Sequence, residues 1–283
     1  MNMKNLSRLF ILSLLVAATV LGAGCLSGSS DESVLISGST TVLPLIQVLS
    51  ENYMVDHTDM IIVKGGGSGS GIAELIDKTN DIAMSSRKIN DKELANAQSN
   101  GIEPVETIIA MDGITIIVNP SNPVNSLTLD QLQKIYTGEI TNWNQVGGSD
   151  MKIAAIARDS ASGTQEYFKE AVLHNNSFRS DTITQSATGA VTQEVSQNAN
   201  AIGFIGAAYQ DSRVKTLGIN VNGTDVYPTE TNILTGTYPL SRPLYLYTTQ
   251  TPSNATTNFI NYVMNPDGQA VVKEVGYAPV NTN

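Results

Sequence analysis

Val34-Leu35-Ile36-Ser37-Gly38-Ser39-Thr40-Thr41-Val42-Leu43-Pro44-Leu45 decides the fold class of this chain. Val34 to Ile36 is a short apolar run of buried-strand length. A turn of Gly, Ser and Thr follows at once. Pro44 suits the first turn of a helix, where its missing N–H has no partner to lose. Leu45, Ile46, Val48, Leu49 and Tyr53 then recur at helical spacing. The same order repeats downstream. Met60-Ile61-Ile62-Val63 reads as a second buried strand. The run Gly65-Gly66-Gly67-Ser68-Gly69-Ser70-Gly71 leads into a helix marked by Ile72, Ala73, Leu75 and Ile76. Asp81-Ile82-Ala83-Met84 reads as a third strand, ending at Ser85-Ser86-Arg87. This strand–helix alternation predicts a parallel sheet covered by helices.

The second half repeats the pattern. Ile108 to Val118 is a long strand, closed by Asn119-Pro120, and a helix carrying Leu129, Leu132, Ile135 and Tyr136 starts after Thr128. Ile153 to Ala157 is a strand leading to Arg158, followed by a helix with Tyr167, Phe168, Ala171 and Val172. Ala190-Val191 and Val195 mark another helix, before the strand Ala201 to Ile205. Leu244 to Tyr247 is a late strand, and Phe259, Ile260, Tyr262 and Val263 a late helix. There is no short repeat, only two similar α/β halves.

Upstream of Val34 the sequence changes character. Lys4 and Arg8 precede an apolar run from Leu9 to Val20, which ends in Leu21-Gly22-Ala23-Gly24-Cys25. A basic head, an apolar core and a small-residue exit over residues 1–24 have the layout of a secretory signal. The run is shorter than the ~18–20 apolar residues of a spanning helix, although an uncleaved membrane anchor is the alternative. Cys25 is the one cysteine, so no intrachain disulfide can form. Directly after Gly-Ala-Gly it occupies the position of a lipid acceptor, and residues 25–33 read as a flexible tether.

Removing residues 1–24 takes away Lys4 and Arg8 and no acidic residue, leaving 14 basic and 26 acidic residues, a net charge of −12. So acidic a surface argues against nucleic acid as a partner. It would also repel free anions at long range, so an anion site must work through local groups.

Three segments supply such groups. Gly38-Ser39-Thr40-Thr41, the glycine run and Ser160-Ala161-Ser162-Gly163-Thr164 each place Ser, Thr and Gly at the start of a helical pattern. A helix N-terminus carries free N–H groups and about half a positive charge. Hydroxyls and glycine amides there can wrap an anion closely. Arg158 stands four residues before Ser162, and its planar fork matches two oxygens of a tetrahedral anion. Plainer readings stand beside this one: a flexible glycine linker, and a surface Arg158 paired to Asp159 with Ser160 or Ser162 as an N-cap. The glycine run lacks the Gly-Lys-Ser/Thr of a phosphate loop, and Ile72 stands where a dinucleotide fingerprint needs its last glycine. Only His57 and His174 are available, neither near a second His or a Cys at ligand spacing, so no metal is expected. No Gly-x-Ser-x-Gly elbow is present. A catalytic site and a cofactor are therefore not expected.

Gly38-Ser39-Thr40-Thr41-Val42, the Gly67–Gly71 loop, Asp81 to Arg87, Arg158 with Ser162-Gly163-Thr164, Leu127 to Gly148 and Tyr238 to Tyr245 together, in this order, resemble the phosphate-binding proteins of high-affinity phosphate ATP-binding-cassette importers. The resemblance covers residues 34–280. It implies a two-lobed periplasmic-binding-protein-like fold of type II. Each lobe would be a mixed, mostly parallel sheet flanked by helices, with two hinge strands between them. Lobe 1 would hold residues 34–113 and 244–283, and lobe 2 residues 114–243. The ligand set it implies is Ser39, Thr40, Thr41, Ser68, Ser86, Arg87, Arg158, Ser162, Gly163 and Thr164. Ser86 stands where some members have an Asp that accepts the phosphate proton. A hydroxyl can donate as well as accept, so rejection of sulfate should be less strict, with Asp159 a possible compensating acceptor.

The expected protein is thus a monomeric, lipid-anchored receptor outside the cytoplasmic membrane that captures inorganic phosphate for an ATP-binding-cassette permease. The alternative is a phosphate sensor or store uncoupled from transport. A phosphate-ester hydrolase is the third class, and a chromogenic phosphomonoester would separate it from a binder.

Overall fold

The computed structural model describes residues 32–280; the basic-apolar leader and Cys25 lie outside them. Lobe 1 begins with β1 (Ser33–Gly38), α1 (Leu43–Asp56), β2 (Met60–Gly65), α2 (Ser68–Ile76), β3 (Ile82–Ser85) and α3 (Asp91–Ser99). β1 pairs in parallel with β2 and with β3. The chain returns to this lobe through β11 (Ser241–Thr248), α8 (Asn254–Met264) and α9 (Pro266–Glu274). β11 lies antiparallel to β3 on one side and to the 14-residue β4 (Val105–Val118) on the other.

Alternation along the strands feeds two cores. Ile82 and Met84 of β3, with Leu244 and Leu246 of β11, face Leu45, Leu49 and Tyr53 of α1 and Phe259 of α8. Ala83, Tyr245 and Tyr247 face the opposite way, against Ile72, Leu75 and Ile76 of α2 and Ala97 of α3.

Lobe 2 is built on the second half of β4. It holds β5 (Ser126–Leu127), α4 (Leu129–Thr137), β6 (Ala154–Arg158), α5 (Gly163–Ala171), β7 (Ile183–Gln185), α6 (Thr188–Gln197), β8 (Ala201–Gly206), β9 (Lys215–Val221), β10 (Thr224–Val226) and α7 (Glu230–Leu234). β6 pairs in parallel with β7 and β8, whereas β4 is antiparallel to β8 and β9. Ile114, Ile116 and Val118 face the larger core with Tyr136, Phe168, Phe204 and Trp143, and Ile117 faces a smaller one with Val191 and Val195. Trp143 is fully buried, and its Nε1 donates to the Asn200 carbonyl at 2.9 Å.

β4 is the joint. From Val105 to Gly113 it pairs with β11, and from Ile114 to Val118 with β8. One strand thus runs through both sheets, and each side of it has its own core. The sheets are mixed, as the resemblance implies, and not parallel throughout as the alternation alone predicts. β1 with β2 and β3, β6 with β7 and β8, and β5 with β9 are parallel, whereas β11 against β3 and β4, β4 against β8 and β9, and β9 against β10 are antiparallel. Among the described residues no helix is long and apolar enough to cross a membrane.

Candidate anion-binding site

Four helix starts converge between the lobes, two from each. From lobe 1 come the lead-in to α1 and the start of α2. Ser39 Oγ accepts from the Thr41 amide at 3.2 Å, and Pro44 fills the first turn. Tyr209 of lobe 2 and Tyr277 of lobe 1 donate to the Thr40 and Thr41 carbonyls respectively, which fixes this turn. Gly67 is the N-cap of α2, and its φ of +102° suits glycine. A Cβ there would also lie 2.5 Å from the Ala161 carbonyl oxygen of lobe 2. From lobe 2 come α5, whose N-cap Ser162 accepts from the Gln165 amide at 3.3 Å, and α6, which begins at Thr188.

The hydroxyls of these starts meet. Thr41 Oγ1 and Thr164 Oγ1 are 2.9 Å apart across the cleft. Ser68 Oγ accepts from the Ser86 amide at 3.1 Å and lies 3.3 Å from Ser86 Oγ, which is 3.5 Å from Thr164 Oγ1. Gly163 makes this approach possible, because a Cβ at that position would fall 2.3 Å from Ser68 Oγ. Thr41, Ser68, Ser86 and Thr164 are all buried.

Arg158 closes one side. Its Nη2 donates to Thr40 Oγ1 and its Nη1 to Thr188 Oγ1, both at 3.0 Å. Nε and Nη2 also donate to the carbonyls of Gln185 and Ser186. Arg158 is 2% exposed, and among the described residues it has no carboxylate within ion-pairing distance. Burial lowers its pKa, with Asp159 acting in the opposite sense from farther off. Asp159 itself accepts from the Ala161 amide at 3.1 Å, an ordinary turn contact, so the surface Arg158–Asp159 pair is not what forms.

Two residues of the sequence-derived set sit differently from the rest. Ser162 caps α5. Arg87 turns away from the hydroxyls: Nη1 and Nη2 each donate to Glu93 at 2.7 Å, and Nε faces Glu166 of lobe 2. Burial alone would lower the Arg87 pKa, but Glu93 and Glu166 outweigh it and leave it raised. In this arrangement both Nη groups of Arg87 are taken up by Glu93, which stands in the first turn of α3. Asn90 Nδ2 adds a hydrogen bond to Glu166 at 3.2 Å.

The structure also adds residues absent from the sequence-derived set. Thr188 lies in Ser186-Ala187-Thr188-Gly189, the same Ser/Thr/Gly-before-helix signal as the other three starts. Arg242 Nη2 donates to Thr164 Oγ1 at 2.9 Å and Nη1 to the Ser86 carbonyl at 3.1 Å. Its partner is Asp112 at 2.9 Å, both side chains being essentially unexposed. Asp112 is the one charged residue in the apolar run Ile108–Val118, and a lone charge in such a strand signals a buried partner. The two histidines stand apart: His57 stacks on Tyr53 at 3.9 Å, and His174 is exposed beyond α5.

A cluster of hydroxyls, helix N-termini and a guanidinium without a carboxylate, gathered where the lobes meet, is rich in hydrogen-bond donors. Its natural guest is a small, acceptor-rich anion.

Residues 26–267 match the PBP superfamily domain. Protein SphX of Synechococcus elongatus is 33% identical over 261 residues, covering 87% of this chain and 77% of SphX. The phosphate-binding protein PstS of Staphylococcus epidermidis is 33% identical over 287 residues, covering 93% of this chain and 87% of that protein. The crystal structure of a Clostridium perfringens phosphate ABC transporter substrate-binding protein with bound phosphate superposes with a TM-score of 0.81 at 32% identity. That match covers 88% of this chain and 100% of the other.

Proposed function

This chain belongs to the PBP superfamily and to the family of the PstS phosphate-binding proteins, and we propose that it captures inorganic phosphate between its lobes and hands it to an ATP-binding-cassette permease outside the cytoplasmic membrane. The observation that carries this reading is Arg158. A buried cation without a carboxylate partner is costly unless something anionic answers it. Here the surrounding donors are hydroxyls and helix starts, which suit a tetrahedral oxyanion. The proposed ligand set is Thr40, Thr41, Ser68, Ser86, Arg158, Gly163 and Thr164, with Ser39 and Ser162 holding the turns behind them. Residues 34–113 and 244–283 form lobe 1 in this reading, and residues 114–243 form lobe 2.

The direct test is a thermal melt of ligand-stripped protein with and without phosphate. A ligand that binds only the native state adds about 2.7 kcal/mol at a hundredfold excess over Kd. In a domain of this size that raises the midpoint by about 5–10 °C. An unchanged midpoint at millimolar phosphate sinks the reading. A chromogenic phosphomonoester should stay intact in the same preparation, as a binder without turnover requires.

Residues 1–24 act as the secretory signal in this proposal, and Cys25 carries the lipid anchor. One acyl chain holds weakly, so stable anchoring requires two on that cysteine. Cys25→Ser should move the protein from membrane to soluble fractions with phosphate binding unchanged. A sensor or store uncoupled from transport is the alternative, and phosphate uptake by cells lacking the protein separates the two.

A further inference from the structure

We propose that Arg242, held by Asp112, is a positioning residue for the same site: it fixes the Thr164 hydroxyl as a donor toward the bound anion, and does so only when the lobes are closed. The proposal rests on the anion reading above. Arg242 and Asp112 sit opposite each other on β11 and β4, where the two strands pass between the lobes. Nε and Nη2 of Arg242 both donate to Asp112 Oδ2, at 3.1 and 2.9 Å, and Asp112 Oδ1 accepts from the Ala207 amide at 2.9 Å. Burial pushes the Asp112 carboxyl up, and Arg242 pulls it back. The guanidinium therefore adds orientation to the site and almost no net charge, in contrast to Arg158.

Its remaining donors reach both lobes. Nη1 binds the Ser86 carbonyl of lobe 1, and Nη2 binds Thr164 Oγ1 of lobe 2. A guanidinium only donates, whereas a hydroxyl has one hydrogen to give. Thr164 must then accept from Arg242 and direct its own hydrogen elsewhere. Its other polar neighbours are Thr41 Oγ1 at 2.9 Å and Ser86 Oγ at 3.5 Å, the cluster at the centre of the cleft. Accepting from a cation also makes that hydroxyl a stronger donor. Arg158 treats Thr40 and Thr188 in the same way. Two guanidiniums thus set the polarity of three hydroxyls.

The test is a double-mutant cycle read by phosphate calorimetry on the full mature chain. Arg242→Lys keeps the charge but loses the fork. It should weaken phosphate by about 10- to 100-fold, the fold-change of one hydrogen bond to a charged group. Thr164→Val should cost a similar factor. If Arg242 works through Thr164, the double variant binds within about twofold of Thr164→Val alone, because residues acting as a unit are non-additive. Multiplying losses would overturn the proposal. Asp112→Asn combined with Arg242→Gln leaves no charge buried alone and is the second variant if Arg242→Lys does not fold. It should show the same loss and the same non-additivity. If neither variant folds, the pair serves stability alone and the proposal fails. If the wild type itself ignores phosphate, the anion reading falls instead.

Discussion

The centre of the cleft and its rim both tie α5 to lobe 1, but by opposite means. At the centre Thr164 meets Thr41, Ser86 and Arg242, all buried, through hydroxyls and one neutralised ion pair. At the rim Glu166, two residues along the same helix, meets Arg87 and Asn90 with its side chain 40% exposed. Buried hydrogen bonds lose their full desolvation when broken, whereas exposed ion pairs contribute about 0–1 kcal/mol and are screened by salt. The difference implies a division of labour. Affinity should reside in the centre, and the rim should tune how long the closed state lasts.

The largest break in that comparison is Arg158→Ala. Removing one side of a buried charge-assisted interaction costs about 3–5 kcal/mol, so phosphate affinity should fall by at least about a hundredfold with the fold intact. A loss under fivefold in calorimetry would place the anion elsewhere. Gly163→Ala comes next. Its Cβ would fall 2.3 Å from Ser68 Oγ and 2.8 Å from Ser86 Oγ, so the lobes must stop short of full closure. Overpacking of this kind costs about 1–3 kcal/mol, and affinity should drop by about 5- to 150-fold with little change in the ligand-free melting midpoint. Wild-type affinity in this variant would mean the lobes need not close so far.

Ser86→Asp sharpens the centre by changing selectivity. Phosphate near neutral pH keeps a proton that an ionised carboxylate can accept, and sulfate offers none. The variant should weaken sulfate about tenfold more than phosphate in competition titrations, a difference worth roughly one hydrogen bond. An unchanged ratio would remove Ser86 from ligand discrimination, and a ratio that moves only in Asp159→Asn would assign that role to Asp159. The smallest effect belongs to the rim. Glu166→Gln should speed phosphate release in stopped flow by no more than about fivefold, because Glu93 still answers the Arg87 guanidinium and the Glu166 side chain is partly open to solvent. Its release rate should also lose part of the salt dependence of the wild type. A hundredfold effect would shift closure energy to the rim and undo the comparison.

Much of this was legible because strands and helix starts leave local marks. Apolar runs of three or four residues with Ser, Thr or Gly close behind became β1, β2 and β3 and the turns that follow them. What escaped was either polar or distant. α3 buries only Ala97, so no apolar stripe announces it, and Glu93 could not be seen to capture Arg87. β9 and β10 form a hairpin at Asn222-Gly223, both in the left-handed region, a turn whose sequence signal is short beside two weakly apolar strands. Asp112 and Arg242 lie 130 residues apart, and nothing local to either names its partner. Thr188 was readable by the rule that found the other starts, but Ala190, Val191 and Val195 give its helix a thinner pattern than α1 or α5.

Trp143 is the single tryptophan of the chain, sealed in the larger core of lobe 2. Indole emission therefore reports from one lobe, while far-ultraviolet circular dichroism sums over both. Followed together through a melt, the two signals become a gauge of mechanical coupling along β4, the strand shared by both sheets. Coincident midpoints mean that loss of one core drags the other down as a single cooperative unit. An indole transition that departs from the dichroism transition means that the ribbon of β4 and β11 bends without passing collapse across, which is the compliance a clamp needs in order to open and shut.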